Sequence, residues 1–194
     1  MDKKMFKDVF PGLKLDKDLA DIIGQSQIEN ITMFKSEKKM VISILSYNLI
    51  AKKLIYKAEE EIKNYIFGER AQERCEIKDR YILSKQYNLK QLTTIYKDSF
   101  LLEIMKKSYV DFRLLDKAEW FYNDNILTLA LEDTFIAKSH SRVIKEYLEN
   151  TYLQRFAMEV QVGFNYTEEQ KTKLREANDR RLKLELAAID AVQD

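Results

Sequence analysis

Histidine and cysteine, the types most often used as bases, nucleophiles and metal ligands, occur once each in this 194-residue chain, and neither stands in a catalytic spacing. His140 is the only histidine. It lies one helical turn after Ile136, and no DxD, HxxE or HExxH pattern accompanies it, so neither a metal site nor a general base finds a second residue. It reads as a partly packed or surface histidine. Cys75 is the only cysteine, which excludes an intramolecular disulfide and a cysteine-based metal cluster. Set in a strand-like run, it reads as a small buried hydrophobe. Gly12, Gly24, Gly68 and Gly163 are isolated, so no phosphate-cradling loop or dinucleotide fingerprint exists. Glu59-Glu60-Glu61 and Glu168-Glu169 sit among lysines and read as solvated helix surface. Two sets could meet nucleic acid. Lys138, Arg142, Lys145 and Arg155 could line one side of a helix and contact phosphates, although Glu146 and Glu149 weaken that field. Trp120, Phe121 and Tyr122 could stack on bases, but strand alternation turns one or two of them into the core. No catalytic, cofactor or metal residue is assigned. Lys138, Arg142 and Lys145 stand as candidate partner-binding residues.

Composition sets the frame for these residues. Hydrophobic residues make up 45% and charged residues 34% of the chain, with one proline and four glycines, which describes a globular protein with a solvated surface. The net charge is +1, from 33 basic and 32 acidic residues, so no global attraction for nucleic acid or membrane exists. No apolar run approaches the ~20 residues that span a bilayer, and the N-terminus lacks the apolar segment of a secretory signal. The expected compartment is the cytoplasm.

The elements that must position these residues centre on Glu119 to Leu148. Trp120 to Tyr122 leads into Asn123-Asp124-Asn125, a run suited to a tight reversal. Ile126 to Leu131 follows as a strand with Leu127, Leu129 and Leu131 on one face. Glu132-Asp133-Thr134 offers capping oxygens, and Ile136, His140, Val143, Ile144, Tyr147 and Leu148 recur at helical spacing. A closing strand is expected over 156–166. Upstream, Asp16 caps a short helix that Gly24 ends, 28–34 and 40–45 form a hairpin, and Asn48 caps a helix with Ile50, Ala51, Leu54, Ile55, Ala58, Ile62, Tyr65 and Ile66 on its apolar face. A third strand runs over 74–83. Residues 89–107 read as helical, broken near Asp98-Ser99, and 110–122 holds an extended segment. The two halves echo one another, with Leu49-Ile50-Ala51-Lys52 aligned to Phe135-Ile136-Ala137-Lys138. Residues 167–194 read as a long charged helix, opened by Thr167 and Gln170 as a near capping box. It ends without a stop signal, which suggests a piece of a longer protein. The fold class is α+β: a first αββαβ unit over 1–84, a second ααββαβ unit over 85–166, and a linker helix over 167–194.

The ααββαβ order of the second half resembles a type II KH-like fold, although the GxxG loop by which KH domains clamp nucleic acid is absent. Ala118-Glu119-Trp120, Asn125-Ile126-Leu127-Thr128-Leu129, Asp133-Thr134-Phe135-Ile136 and Tyr147-Leu148 resemble the N-terminal domain of the bacterial initiator DnaA and the last domain of the replicase tau subunit. Those are adaptor domains that bind other replication proteins. The whole chain resembles the N-terminal region of PolC-type DNA polymerase III alpha subunits. That resemblance implies a non-catalytic adaptor region of a replicative DNA-directed DNA polymerase, a nucleotidyltransferase with 3'-5' exonuclease activity. The implied partners are replisome proteins. No cofactor and no membrane contact are expected, and DNA binding by this region itself is expected to be weak or nil. The rival readings are a stand-alone KH-like single-stranded nucleic-acid-binding protein and a free-standing replication adaptor.

Overall fold

A computed structural model describes residues 4–69, 71–83 and 87–167. The expected charged helix over 167–194 lies outside these residues, apart from Thr167 itself. Two small sheets carry the described chain. The first begins with β1 (Lys4–Met5), α1 (Phe6–Val9) and α2 (Lys17–Ile23), continues through β2 (Gln27–Phe34), β3 (Lys39–Ser46) and α3 (Lys52–Phe67), and closes with β4 (Arg74–Tyr81). Its strand order is β1-β2-β3-β4, antiparallel except for the parallel β3–β4 pair. The second runs α4 (Leu89–Lys107), α5 (Tyr109–Lys117), β5 (Glu119–Asn123), β6 (Ile126–Glu132), α6 (Phe135–Phe156) and β7 (Gln161–Thr167), with strand order β5-β6-β7. There β5–β6 is antiparallel and β6–β7 parallel. Each sheet thus contains a hairpin followed by a helical crossover to a parallel strand, the connection that parallel pairing requires. The molecule is mixed α+β. No helix among the described residues is long and apolar enough to cross a membrane.

The local expectations hold where turn chemistry and alternation are strong. Lys38 (φ 49°) turns the first hairpin and Asp124 (φ 47°) the second. Leu127, Leu129 and Leu131 are all buried, and Thr134 caps α6 by accepting the Ala137 amide at 3.1 Å.

Several expectations are corrected. Helix α4 is unbroken at Asp98-Ser99, because Ser99 is buried and its Oγ accepts the Lys52 amide at 3.0 Å. The second helix of the pair is α5, which takes up most of the 110–122 segment and leaves its extended part to β5; Ser108 caps α5 by accepting the Asp111 amide at 3.2 Å. Asn48 does not cap α3. Ala51 holds the cap position without a side-chain bond, and Asn48 instead donates its amide to Ser46 Oγ at 3.2 Å. On α3, Tyr65 and Ile66 are exposed, so the apolar stripe ends at Ile62. The buried face of α6 is Ala137, Ile144, Leu148, Tyr152 and Phe156, while Ile136 and Val143 are more than half exposed. Helix α6 also runs through Phe156 and ends at left-handed Ala157, so the closing strand starts five residues later than expected, at Gln161. The echo of the halves lies in the order of elements. Leu49-Ile50-Ala51 precedes α3, whereas Phe135-Ile136-Ala137 is the first turn of α6.

One cluster of buried side chains spans both sheets. At its centre Tyr81 of β4 stacks on Phe156 of α6 (centroids 5.5 Å apart), and Tyr96 of α4 meets Phe156 edge-on at 5.1 Å.

Candidate functional site

The parallel strands that close each sheet present alternate backbone groups at an outer edge. Arg74 donates its amide to Lys38 O at 2.8 Å and Ile82 to Ser46 O at 2.9 Å, so the intervening odd-numbered residues of β4 face away from β3. At that edge Glu59 Oε1 of α3 accepts the Ile77 amide at 2.7 Å. The second sheet repeats the arrangement: Glu149 Oε1 of α6 accepts the Val162 amide of β7 at 2.8 Å.

Beside Glu59 a cleft of about 1080 Å³ opens between the outer edge of β4, α3 and the C-terminal parts of α4 and α6. Its floor is a buried charge network. Asp79 Oδ1 accepts from Lys52 Nζ at 2.6 Å. Asp79 Oδ2 accepts from Tyr81 Oη at 2.8 Å and from Tyr96 Oη at 3.1 Å, and lies 3.3 Å from Arg155 Nε. Arg155 then forks onto Glu103 at 3.0 and 3.3 Å, the planar geometry for which a guanidinium is suited. Burial works against the Asp79 carboxylate, but the Arg155 and Lys52 charges outweigh it and hold the group below its ordinary range. Glu103 is held down in the same way, burial being outweighed by Arg155. For Arg155 burial favours neutrality, and Asp79, Tyr96 and Glu103 overcome it and keep it charged.

Glu59, by contrast, is pushed up to about 7 by burial, which the Ile77 amide and Lys52 only partly offset. The cleft mouth carries further cations against aromatic faces, with Lys106 3.2 Å from the Tyr56 ring centroid and Lys107 5.0 Å from that of Tyr147. Seven cations and six carboxylates line the cleft among the described residues, so its field is mixed in sign. Among the described residues no group of three or more His, Cys, Asp or Glu could hold a metal ion.

The candidate partner-binding residues share one side of α6 at i, i+4 and i+7, each beside a carboxylate. Lys138 Nζ lies 2.7 Å from Asp133, Arg142 Nε 2.8 Å from Glu146, and Lys145 Nζ 3.7 Å from Glu149. Arg155 is separated from them and buried in the network. His140 Nδ1 lies 2.6 Å from the buried Asp111 carboxylate and ties α6 to α5. Burial pushes the Cys75 thiol up to about 12, which makes it a poor nucleophile. Trp120 donates its indole N–H to Leu115 O at 3.2 Å and Tyr122 packs on the core, leaving Phe121 exposed. The sequence reading missed the network. Its signal was Asp79, which alternates with Ile77 and Tyr81 on the inward side of a strand.

These features define a small α+β module of two ββαβ sheets joined through a buried charge network. Residues 5–77 match the family described as DNA polymerase III polC-type N-terminus I. The match falls on the first sheet, whereas the residues resembling DnaA and tau lie in the second. No curated protein and no solved structure matches the chain.

Proposed function

We propose that the chain is a non-catalytic adaptor region of a PolC-type polymerase, which binds other replication proteins and acts in chromosomal replication in the cytoplasm. The observation that carries this reading is charge compensation. A polyanion binder gathers unopposed cations along one track, whereas Lys138, Arg142 and Lys145 each face a carboxylate and the cleft mixes both signs. The ααββαβ order of the second half supports kinship with the DnaA-like and tau-like adaptors and their KH-like arrangement. The two ββαβ units are then the working divisions of the region, and neither needs a cofactor.

Fluorescence anisotropy with single-stranded and duplex DNA and RNA at ~150 mM salt tests the reading. Binding on the order of 10⁻⁴ M or weaker is expected, the weak limit of non-specific association. Titration with purified replisome subunits should give saturable binding. Submicromolar, salt-sensitive nucleic-acid binding, abolished by Lys138→Glu plus Arg142→Glu in a folded protein, would reject the adaptor reading.

A further inference from the structure

A second recess, of about 640 Å³, differs in character from the mixed-charge cleft. It lies at one end of the second sheet, between the β5–β6 turn, the last third of α6 and the start of β7. Its apolar surface comes from Ile126, 42% exposed, Leu153, 51% exposed, and the buried Val160. Asp124, Glu149 and Glu159 add three carboxylates, and no lysine or arginine lines the recess among the described residues. The walls are fixed by backbone bonds. Asn125 O accepts the Gln161 amide at 2.9 Å, and Glu149 accepts the Val162 amide at 2.8 Å. Glu149 also lies 3.7 Å from Lys145, so Asp124 and Glu159, both exposed, carry most of the outward negative charge.

We propose that this recess docks a basic peptide segment of a partner protein. One large apolar side chain of the partner enters between Ile126 and Leu153, and flanking lysines or arginines meet Asp124 and Glu159. The apolar walls supply the anchor. The uncompensated carboxylates select a cationic partner and disfavour an acidic one or a nucleic acid. A recess of this volume is within the range that encloses a small ligand or side-chain group, roughly 300–1,000 Å³. The proposal rests on the adaptor reading and gives it a surface and a partner chemistry.

The test titrates the full chain with a short synthetic peptide carrying a central leucine flanked by lysines. Backbone amide chemical shifts report the site. Saturable shifts are expected at Asp124, Asn125, Ile126 and Leu153. Leu153→Asp and Glu159→Lys should each weaken binding by about tenfold or more, the loss typical of an anchor residue. Both side chains are exposed, and an unchanged amide spectrum elsewhere confirms the fold of each variant. Replacing the peptide leucine with glycine should abolish the shifts. Shifts elsewhere on the chain, no binding, or binding indifferent to the leucine would overturn the proposal. So would a wild-type dimer that Leu153→Asp dissociates, since a second copy would then fill the recess. A replisome subunit that binds the wild type and Leu153→Asp equally well would overturn this surface but leave the adaptor reading standing. Loss of all protein binding would remove both.

Discussion

The two ββαβ units can be superposed in thought by their closing strands. Ile77, Asp79 and Tyr81 of β4 lie opposite Ile42, Ile44 and Ser46 of β3. Val162, Phe164 and Tyr166 of β7 lie opposite Leu127, Leu129 and Leu131 of β6. The first residue of each trio gives its amide to a glutamate from the crossover helix, and the last is tyrosine in both. The middle position differs: a buried carboxylate in the first unit, a phenylalanine in the second. The central strands differ in step, with buried Ser46 where the second unit has Leu131. The same plan can therefore close with an apolar inner face or with a polar one that needs outside partners. A carboxylate buried without partners would cost several kcal/mol. Lys52 and Tyr81 of its own unit bond Asp79, and α4 and α6, both beyond the first unit, add Tyr96 and Arg155.

The sharpest break in this comparison is Asp79→Ala. It strands Lys52 in the interior, leaves Arg155 with Glu103 alone, and should cost about 3–5 kcal/mol in denaturant unfolding, the usual loss when one partner of a buried ion pair is removed. The corresponding change in the second unit, Phe164→Ala, removes a half-buried ring and should cost less. Equal losses would mean that Asp79 acts only as a packed side chain.

The cleft carboxylates pull the pH dependence in opposite directions. Burial raises Glu59 from 4.5 to about 7, so the folded protein binds more protons than the unfolded chain between those values. Stability should therefore fall as pH rises through that window, by on the order of 3 kcal/mol. Asp79 and Glu103 are depressed, so their contribution is present above the ordinary carboxylate range and lost as pH falls through their folded values. Glu59→Gln should flatten the decline between 4.5 and 7 and leave the acid limb in place. A decline that persists in Glu59→Gln would assign it to another group.

A smaller effect belongs to the second clamp. Glu149→Ala leaves the Val162 amide without its partner at the sheet edge and should cost about 1–2 kcal/mol. The smallest belongs to the exposed cations of α6. Arg142→Ala should leave the melting transition where it is, because an exposed i,i+4 pair contributes little.

What the sequence made legible follows the range of the physics. The hairpins, the Leu127-Leu129-Leu131 face and the Thr134 cap are settled by residues close in sequence, and they were readable. The misreadings occur where a distant contact decides. Ser99 resembles a helix break until the Lys52 amide is seen to bond it across 47 residues. Phe156 resembles the first residue of a strand until its ring is placed between Tyr81 and Tyr96. The α6 stripe was shifted by one residue because Ile136 and Val143 are apolar yet exposed. Of the site, the cations of α6 could be named from spacing, but their carboxylate neighbours belong partly to the loop before the helix. The Asp79 network draws on four elements, and no local pattern joins them.

The central claim is that Asp79 and Arg155 bind the two units together through direct coupling. A double-mutant cycle with Asp79→Asn and Arg155→Met, read by denaturant unfolding at neutral pH, tests it most directly. The single losses should exceed the double loss in sum by about 1–3 kcal/mol, the range for contacting groups in one network. Additive losses would contradict the claim and leave the two units joined by apolar packing alone.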